Sequence, residues 1–168
     1  MTHDWILPPG LDMRLAKSDD EEFLFALFCS ARPELALAPL PPAQLMLLLQ
    51  QQYELQKQGY TNKYPHAENW IITTQSGSVG KVMLDKSTRA VHVIDIVIAP
   101  DWRKRGVGST ILVALKAYVD ANAGVLSLHV EHQNIHAKRL YQRLGFVMKQ
   151  STDTHESLVW SPIDHVRL

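Results

Sequence analysis

A mixed α/β (α+β) architecture, one β-sheet with helices on both faces, follows from three observations in this 168-residue chain. The apolar pattern switches between a period of 2 and a period of 3.6 along the chain. The early strand patterns are joined by short turns, whereas the later ones are separated by helical patterns. One run, Val91 to Ala99, is almost continuously apolar, as expected of a central strand covered on both faces.

In chain order, Leu11 to Ala16 alternates and reads as a strand. Ser18-Asp19-Asp20-Glu21 has the form of a capping box, with Phe23, Leu24, Leu27 and Phe28 following at helical spacing up to Arg32-Pro33. Pro39 to Pro42 opens a second helix whose face carries Leu45, Leu48, Leu49, Gln52 and Leu55, with Gly59 as its expected stop. Trp70 to Thr74 and Val79 to Asp85 form a hairpin around Ser76-Gly77. After the central strand, Ile111, Leu112, Leu115 and Val119 mark a helix over Ser109 to Asn122. Val125 to Val130 is another strand. Asn134 caps a helix carrying Leu140, Tyr141 and Leu144, which Gly145 ends. Strands near Phe146 to Lys149 and Leu158 to Trp160 complete the order β-α-α-β-β-β-α-β-α-β-β.

A single domain over 1–168, with its core from about 11 to 160, suits this length. Lysine plus arginine balances aspartate plus glutamate at 17 each, which argues against a nucleic-acid or anionic-membrane surface. One cysteine, Cys29, rules out an internal disulfide and reads as a small core residue. With no basic-then-apolar leader and no spanning run, a cytoplasmic location is expected. His132 and His136 invite a metal reading. Asn134 starts a helix between them, however, and no cysteine or carboxylate completes a ligand set, so no metal is expected.

The most informative stretch is Arg103-Lys104-Arg105-Gly106-Val107-Gly108, between the central strand and a helix. Unpaired N–H groups at a helix N-terminus, the helix dipole and close approach at glycine together favour phosphate. Ser109 and Thr110 add hydroxyls in the first turn. The stretch lacks the Gly-Lys-Ser/Thr ending of a nucleotide P-loop, and Ile111 stands where a dinucleotide fingerprint needs a third small residue.

Two segments resemble the GNAT superfamily of N-acetyltransferases. Ile94 to Gly108, with Arg103, Gly106 and Gly108 at the defining positions, is similar to its acetyl-CoA motif. Asn134 to Phe146, with Asn134, Ala137, Leu140, Tyr141, Gly145 and Phe146, is similar to its second cofactor segment. The resemblance implies acetyl-CoA as donor, held by the loop from Arg103 to Thr110 and by Asn134, and a primary amine as acceptor. It implies an oxyanion donor among the N–H groups of Ile96, Val97 and Ile98, on a strand that splays from its neighbour. It implies Tyr141 as general acid, and a phenol is protonated at neutral pH. The base is open among His129, Asp95, Glu131 and His92. His129 and His92 occupy positions where family members carry a glutamate base. Ser127, His129 and Glu131 share one strand face, whereas a regular strand places His92 and Asp95 on opposite faces. The segment holding Arg32, Glu34, Tyr60, Tyr64 and His66 would wall the acceptor site. The expected acceptor is a small-molecule amine, an amino-acid-like metabolite included. The alternatives are a protein N-terminal or lysine acetyltransferase and, from another class, an acyl-CoA-binding module without turnover. A homodimer is one assembly the sequence leaves open.

Overall fold

The computed structural model describes residues 5–87 and 89–162; Thr88 and the two ends of the single-domain span lie outside them. The elements are β1 (Asp12–Leu15), α1 (Glu21–Ser30), α2 (Pro33–Ala36), α3 (Pro42–Lys63), β2 (Glu68–Thr74), β3 (Gly77–Lys86), β4 (Ala90–Ile98), α4 (Val107–Ala121), β5 (Val125–Glu131), α5 (Ile135–Arg143), β6 (Val147–Ser151) and β7 (His155–Trp160). They form a seven-stranded mixed sheet in the order β1-β2-β3-β4-β5-β7-β6. Among the described residues only β4 and β5 run parallel, because α4 carries the chain back between them.

Each face of the sheet buries its own cluster. On one side Trp70, Ile72, Val82, Leu84, Val91, Val93, Leu126 and Leu128 pack with Ile111, Leu112, Leu115 and Val119 of α4 and with Tyr141 of α5. On the other, Ile71 packs with Leu24 and Phe28 of α1 and Leu49 and Tyr53 of α3; Cys29 is partly buried beside them. No helix is long and apolar enough to cross a membrane among the described residues.

Several elements depart from expectation. Gly59 does not stop α3, which runs on to Lys63 and ends where Tyr64 precedes Pro65. A short extra helix, α2, follows Arg32, with Pro33 at its first position. Ser18 does not cap α1. A 3₁₀ turn, Ser18–Asp20, precedes it, and the Asp20 carboxylate accepts from the Lys17 N–H (2.7 Å) and from both guanidinium nitrogens of Arg14 (2.8 Å each). These bonds, the Arg14 bond foremost, hold the Asp20 carboxyl down to about 2.

The departure that matters most lies in β4. Met83 pairs with Asp95 and Leu84 with Val93, so Ile94 is an extra residue with no partner on β3. Such a bulge reverses side-chain parity beyond it. Val91 and Val93 before it, and Ile96 and Ile98 after it, therefore all join the α4-side cluster. His92 and Asp95, expected on opposite faces, share the other face. There Ile71, Lys81 and Val97 align across three strands.

Gly80 lies beside this strand: a Cβ there would stand 2.7 Å from the Val97 carbonyl oxygen and 3.0 Å from Ile98 Cδ1. Gly80→Ala is expected to force β3 from β4 and to cost about 1–3 kcal/mol in urea unfolding. An unchanged urea midpoint would show that the strands accommodate the methyl group.

Candidate active site

β4 and β5 pair only from Ala90↔Val125 to Val93↔Leu128. Beyond that the two strands part. β4 continues to Ile98 against β3, and β5 continues to Glu131 against β7. The result is a split in the middle of the sheet with one bare main-chain edge on each side. The half-burial of Ile94 to Ile98, in a run expected to be covered on both faces, reflects this lost neighbour. The Ala99 N–H bonds the Val79 carbonyl on the β3 side (2.8 Å). Since main-chain groups alternate along a strand, the N–H groups of Ile96 and Ile98 point into the split and that of Val97 points away.

The glycine loop closes one end of the split. Gly106 adopts φ 80°, and Lys104 also takes a left-handed φ of 60°. The first helical bond of α4 runs from the Thr110 N–H to the Gly106 carbonyl (2.9 Å), leaving the N–H groups of Val107, Gly108 and Ser109 ahead of it. The loop's polar side chains divide. The Thr110 hydroxyl donates to the Gly106 carbonyl (2.8 Å). The Arg103 Nε donates to the Ile98 carbonyl (2.9 Å), and its Nη2 to Ser30 Oγ (3.2 Å) and O (3.4 Å), bracing the loop against β4 and the end of α1. Arg105 stacks over Trp102 at 4.9 Å. Lys104 has no partner among the described residues.

Tyr141 reaches the split from α5, with its ring edge-on to Phe146 at 5.8 Å and only 8% exposed. Its hydroxyl makes no hydrogen bond among the described residues. Burial, and secondly the charge of Asp95, pushes the phenol up, so it stays protonated at neutral pH. Asn134 caps α5, its Oδ1 accepting from the Ala137 N–H (3.2 Å).

A polar cluster occupies the opposite face at the fork of the split. His92 is directly across from Ser127, and its Nδ1 lies 2.8 Å from Ser127 Oγ. Its Nε2 lies 3.4 Å from the Tyr64 hydroxyl, and the two rings stack. Burial foremost, then the neighbouring His129, pushes His92 down to about 4. His129 meets His92 edge-on with centroids 4.9 Å apart but is itself exposed. Burial and the Lys63 and His155 charges lower it too. Glu131 lies farther out, 4.0 Å from His155.

Asp95 is ion-paired to Lys81 at 3.0 Å, with side-chain exposures of 23% and 9%. Lys81 was missed by sequence reasoning. Its signal was a charge inside the otherwise apolar run of Val79 to Leu84. Tyr60 is pushed up to about 12 by burial, with Asp95 raising it and Arg32 lowering it, which places both charges near its ring. Arg32 lies over the Phe28 ring at 4.0 Å. Glu34 is exposed on α2, and His66 is exposed beyond α3. The structure therefore gathers Arg32, Tyr60, Tyr64, Asp95 and His129 on one side of the split and Tyr141 and the glycine loop on the other, with Glu131 farther out and Glu34 not brought to them by any contact among the described residues.

Residues 36–146 match the acetyltransferase (GNAT) family. The chain belongs to that family. It is an acyltransferase. Solved structures share the GNAT fold over most of this chain. PaiA N-acetyltransferase from Thermoplasma acidophilum, in complex with coenzyme A, aligns at TM-score 0.67 with 13% identity, covering 90% of this chain and 98% of its own. Spermidine N-acetyltransferase from Vibrio cholerae, in complex with CoA and spermine, aligns at 0.64 with 18% identity, covering 95% and 100%. The ribosomal-protein-S18-alanine N-acetyltransferase from Escherichia coli aligns at 0.59 with 16% identity, covering 89% and 90%. This GNAT chain thus shares its fold with enzymes of different acceptors, and its own acceptor has to be read from its own residues.

Proposed function

We infer that this GNAT chain transfers an acetyl group from acetyl-CoA to the primary amine of a small molecule, by direct attack through a tetrahedral intermediate. The observation that carries this reading is the split itself. It offers two free N–H groups, those of Ile96 and Ile98, beside a protonated phenol. The open N-terminus of α4 lies at its end, and neutral imidazoles lie across the sheet.

Each residue then has a role. The N–H groups from Gly106 to Ser109 receive the pyrophosphate, with Lys104, unpaired among the described residues, as a cation beside them and Arg103 holding the loop in place. Ile96 or Ile98 donates to the thioester oxygen as it becomes an oxyanion, a contribution of about 3–4 kcal/mol per donor in other acyl-transfer sites. Tyr141 gives its proton to the departing thiolate. His129 takes a proton from the acceptor's ammonium, which frees the neutral amine to attack the thioester carbon, and passes it to solvent. His92, held near 4 and bonded at both nitrogens, is the poorer acceptor and orients its neighbour. Asp95 is held by Lys81 and acts through its charge.

The test is acetyl-CoA binding by calorimetry together with thiol release over a panel of amines from pH 5 to 9. kcat/KM is expected to fall toward acid as His129 protonates, with a midpoint below the ordinary imidazole value of about 6.5. His129→Gln is expected to remove that limb and to lower kcat/KM about tenfold or more. Absence of coenzyme A binding would sink the whole reading. An unaltered acid limb in His129→Gln would remove His129 alone.

A further inference from the structure

The charges on the acceptor face do not favour every amine equally. Asp95, past the fork on β4, is already paired with the buried Lys81 ammonium. Two cations there lack a carboxylate partner among the described residues. Arg32 lies over Phe28 near Tyr60, and Lys63 stands over Tyr64 at 5.3 Å, where its charge acts on both His92 and His129. Of the other carboxylates, Asp85 is across from His92 on β3 and its charge acts on that ring, Glu34 is exposed on α2, and Glu131 is 4.0 Å from His155.

Arg32 is also held in place. Its guanidinium carbon sits 4.0 Å from the centre of the Phe28 ring. The end of α1, two residues before it, is tied to the end of β4 through Arg103, which bridges Ser30 and Ile98. A guanidinium held against a ring, with no hydrogen-bond partner among the described residues, suits a carboxylate, which it can bind through two parallel bonds. A polyamine would instead bring further positive charge toward Arg32 and Lys63, and past the fork it would meet Asp95 already paired with Lys81.

Resting on the acetyl-transfer reading, we propose that the acceptor is an amine carrying a carboxylate close to its amino group, as an amino acid does, and that Arg32 receives this carboxylate. The amine then faces the fork between Asp95 and His129, and Lys63 adds a second, longer-range attraction.

Thiol release at saturating acetyl-CoA, measured for amino acids, their methyl esters and spermidine, tests this. The free acids are expected to exceed their esters in kcat/KM by about tenfold or more, chiefly through KM, and to exceed spermidine by more. Arg32→Gln is expected to bring acid and ester to within about twofold of each other, and Arg32→Lys to restore part of the difference. Melting temperature and coenzyme A affinity, followed in parallel, confirm that both variants fold. Turnover that favours spermidine or the esters overturns the acceptor assignment while leaving acetyl transfer intact. So does an acid-to-ester ratio unmoved in Arg32→Gln. No turnover of any amine, with no binding of acetyl-CoA, overturns the acetyl-transfer reading and this one with it.

Discussion

Tyr141→Phe is expected to lower kcat at least about tenfold, 1.4 kcal/mol or more in the barrier, while the dissociation constant for acetyl-CoA changes less than about twofold. Two observations separate these effects. The ring is buried against Phe146 and the α4-side core, so phenylalanine fills the same volume. The hydroxyl has no hydrogen-bond partner among the described residues, so its removal leaves no orphaned group and no loss of stability. What disappears is a proton kept on the phenol by burial and by the charge of Asp95. A thiolate leaving into a half-buried split is poorly solvated and gains from a positioned donor. Unchanged kcat would take Tyr141 out of the chemistry. A large loss of coenzyme A affinity would assign the hydroxyl to binding.

Asp95→Asn is expected to destabilise the protein by about 3 kcal/mol, a fall of about 6–12 °C in melting temperature for a chain of this size. Lys81 is 9% exposed at its side chain, and its ammonium is 3.0 Å from the carboxylate. Removing one partner leaves a charge that neither water nor protein compensates. Replacing both, as in Lys81→Met with Asp95→Leu, is expected to recover most of the loss, because a buried pair returns little more than its desolvation cost. Retention of the melting temperature in Asp95→Asn would mean that water reaches Lys81. The single variant also reports on the phenol: without the Asp95 charge, Tyr141 should titrate lower than in the parent protein.

The parts of this molecule written in local sequence were legible in advance. Asn134 caps its helix because a side-chain oxygen three residues before an N–H is a local geometry. The glycine loop is legible because a left-handed turn before a helix demands glycine, and Gly106 supplies it. Gly59 misled because a glycine's cost in a helix interior, about 1 kcal/mol, is overridden by the packing of Leu49 and Tyr53 farther up α3. The site itself depends on distant partners. Lys81 and Asp95 meet across strands, and the fork exists only because β4 and β5 stop pairing after Val93↔Leu128 while each keeps its other neighbour. The bulge at Ile94 carries no glycine or proline to announce it, so alternation alone placed His92 and Asp95 on opposite faces.

That one extra residue works like a shift of reading frame within β4. Up to Val93 the strand presents odd-numbered residues to the α4 side; from Ile96 onward it presents even-numbered ones. Removing Ile94 itself would only heal the bulge, because Asp95 would then follow Val93 in the register β3 already sets. Removing one residue beyond it, at Ile96, would leave the other side chains chemically intact yet exchange inside for outside over the rest of the strand: Val97 would enter the core, Ile98 would leave it, and the Ile98 N–H would turn toward β3. The composition of β4 can therefore drift, but its length beyond the bulge cannot. Among close relatives of this chain, substitutions along the strand should be common and single-residue deletions between Asp95 and Ile98 absent.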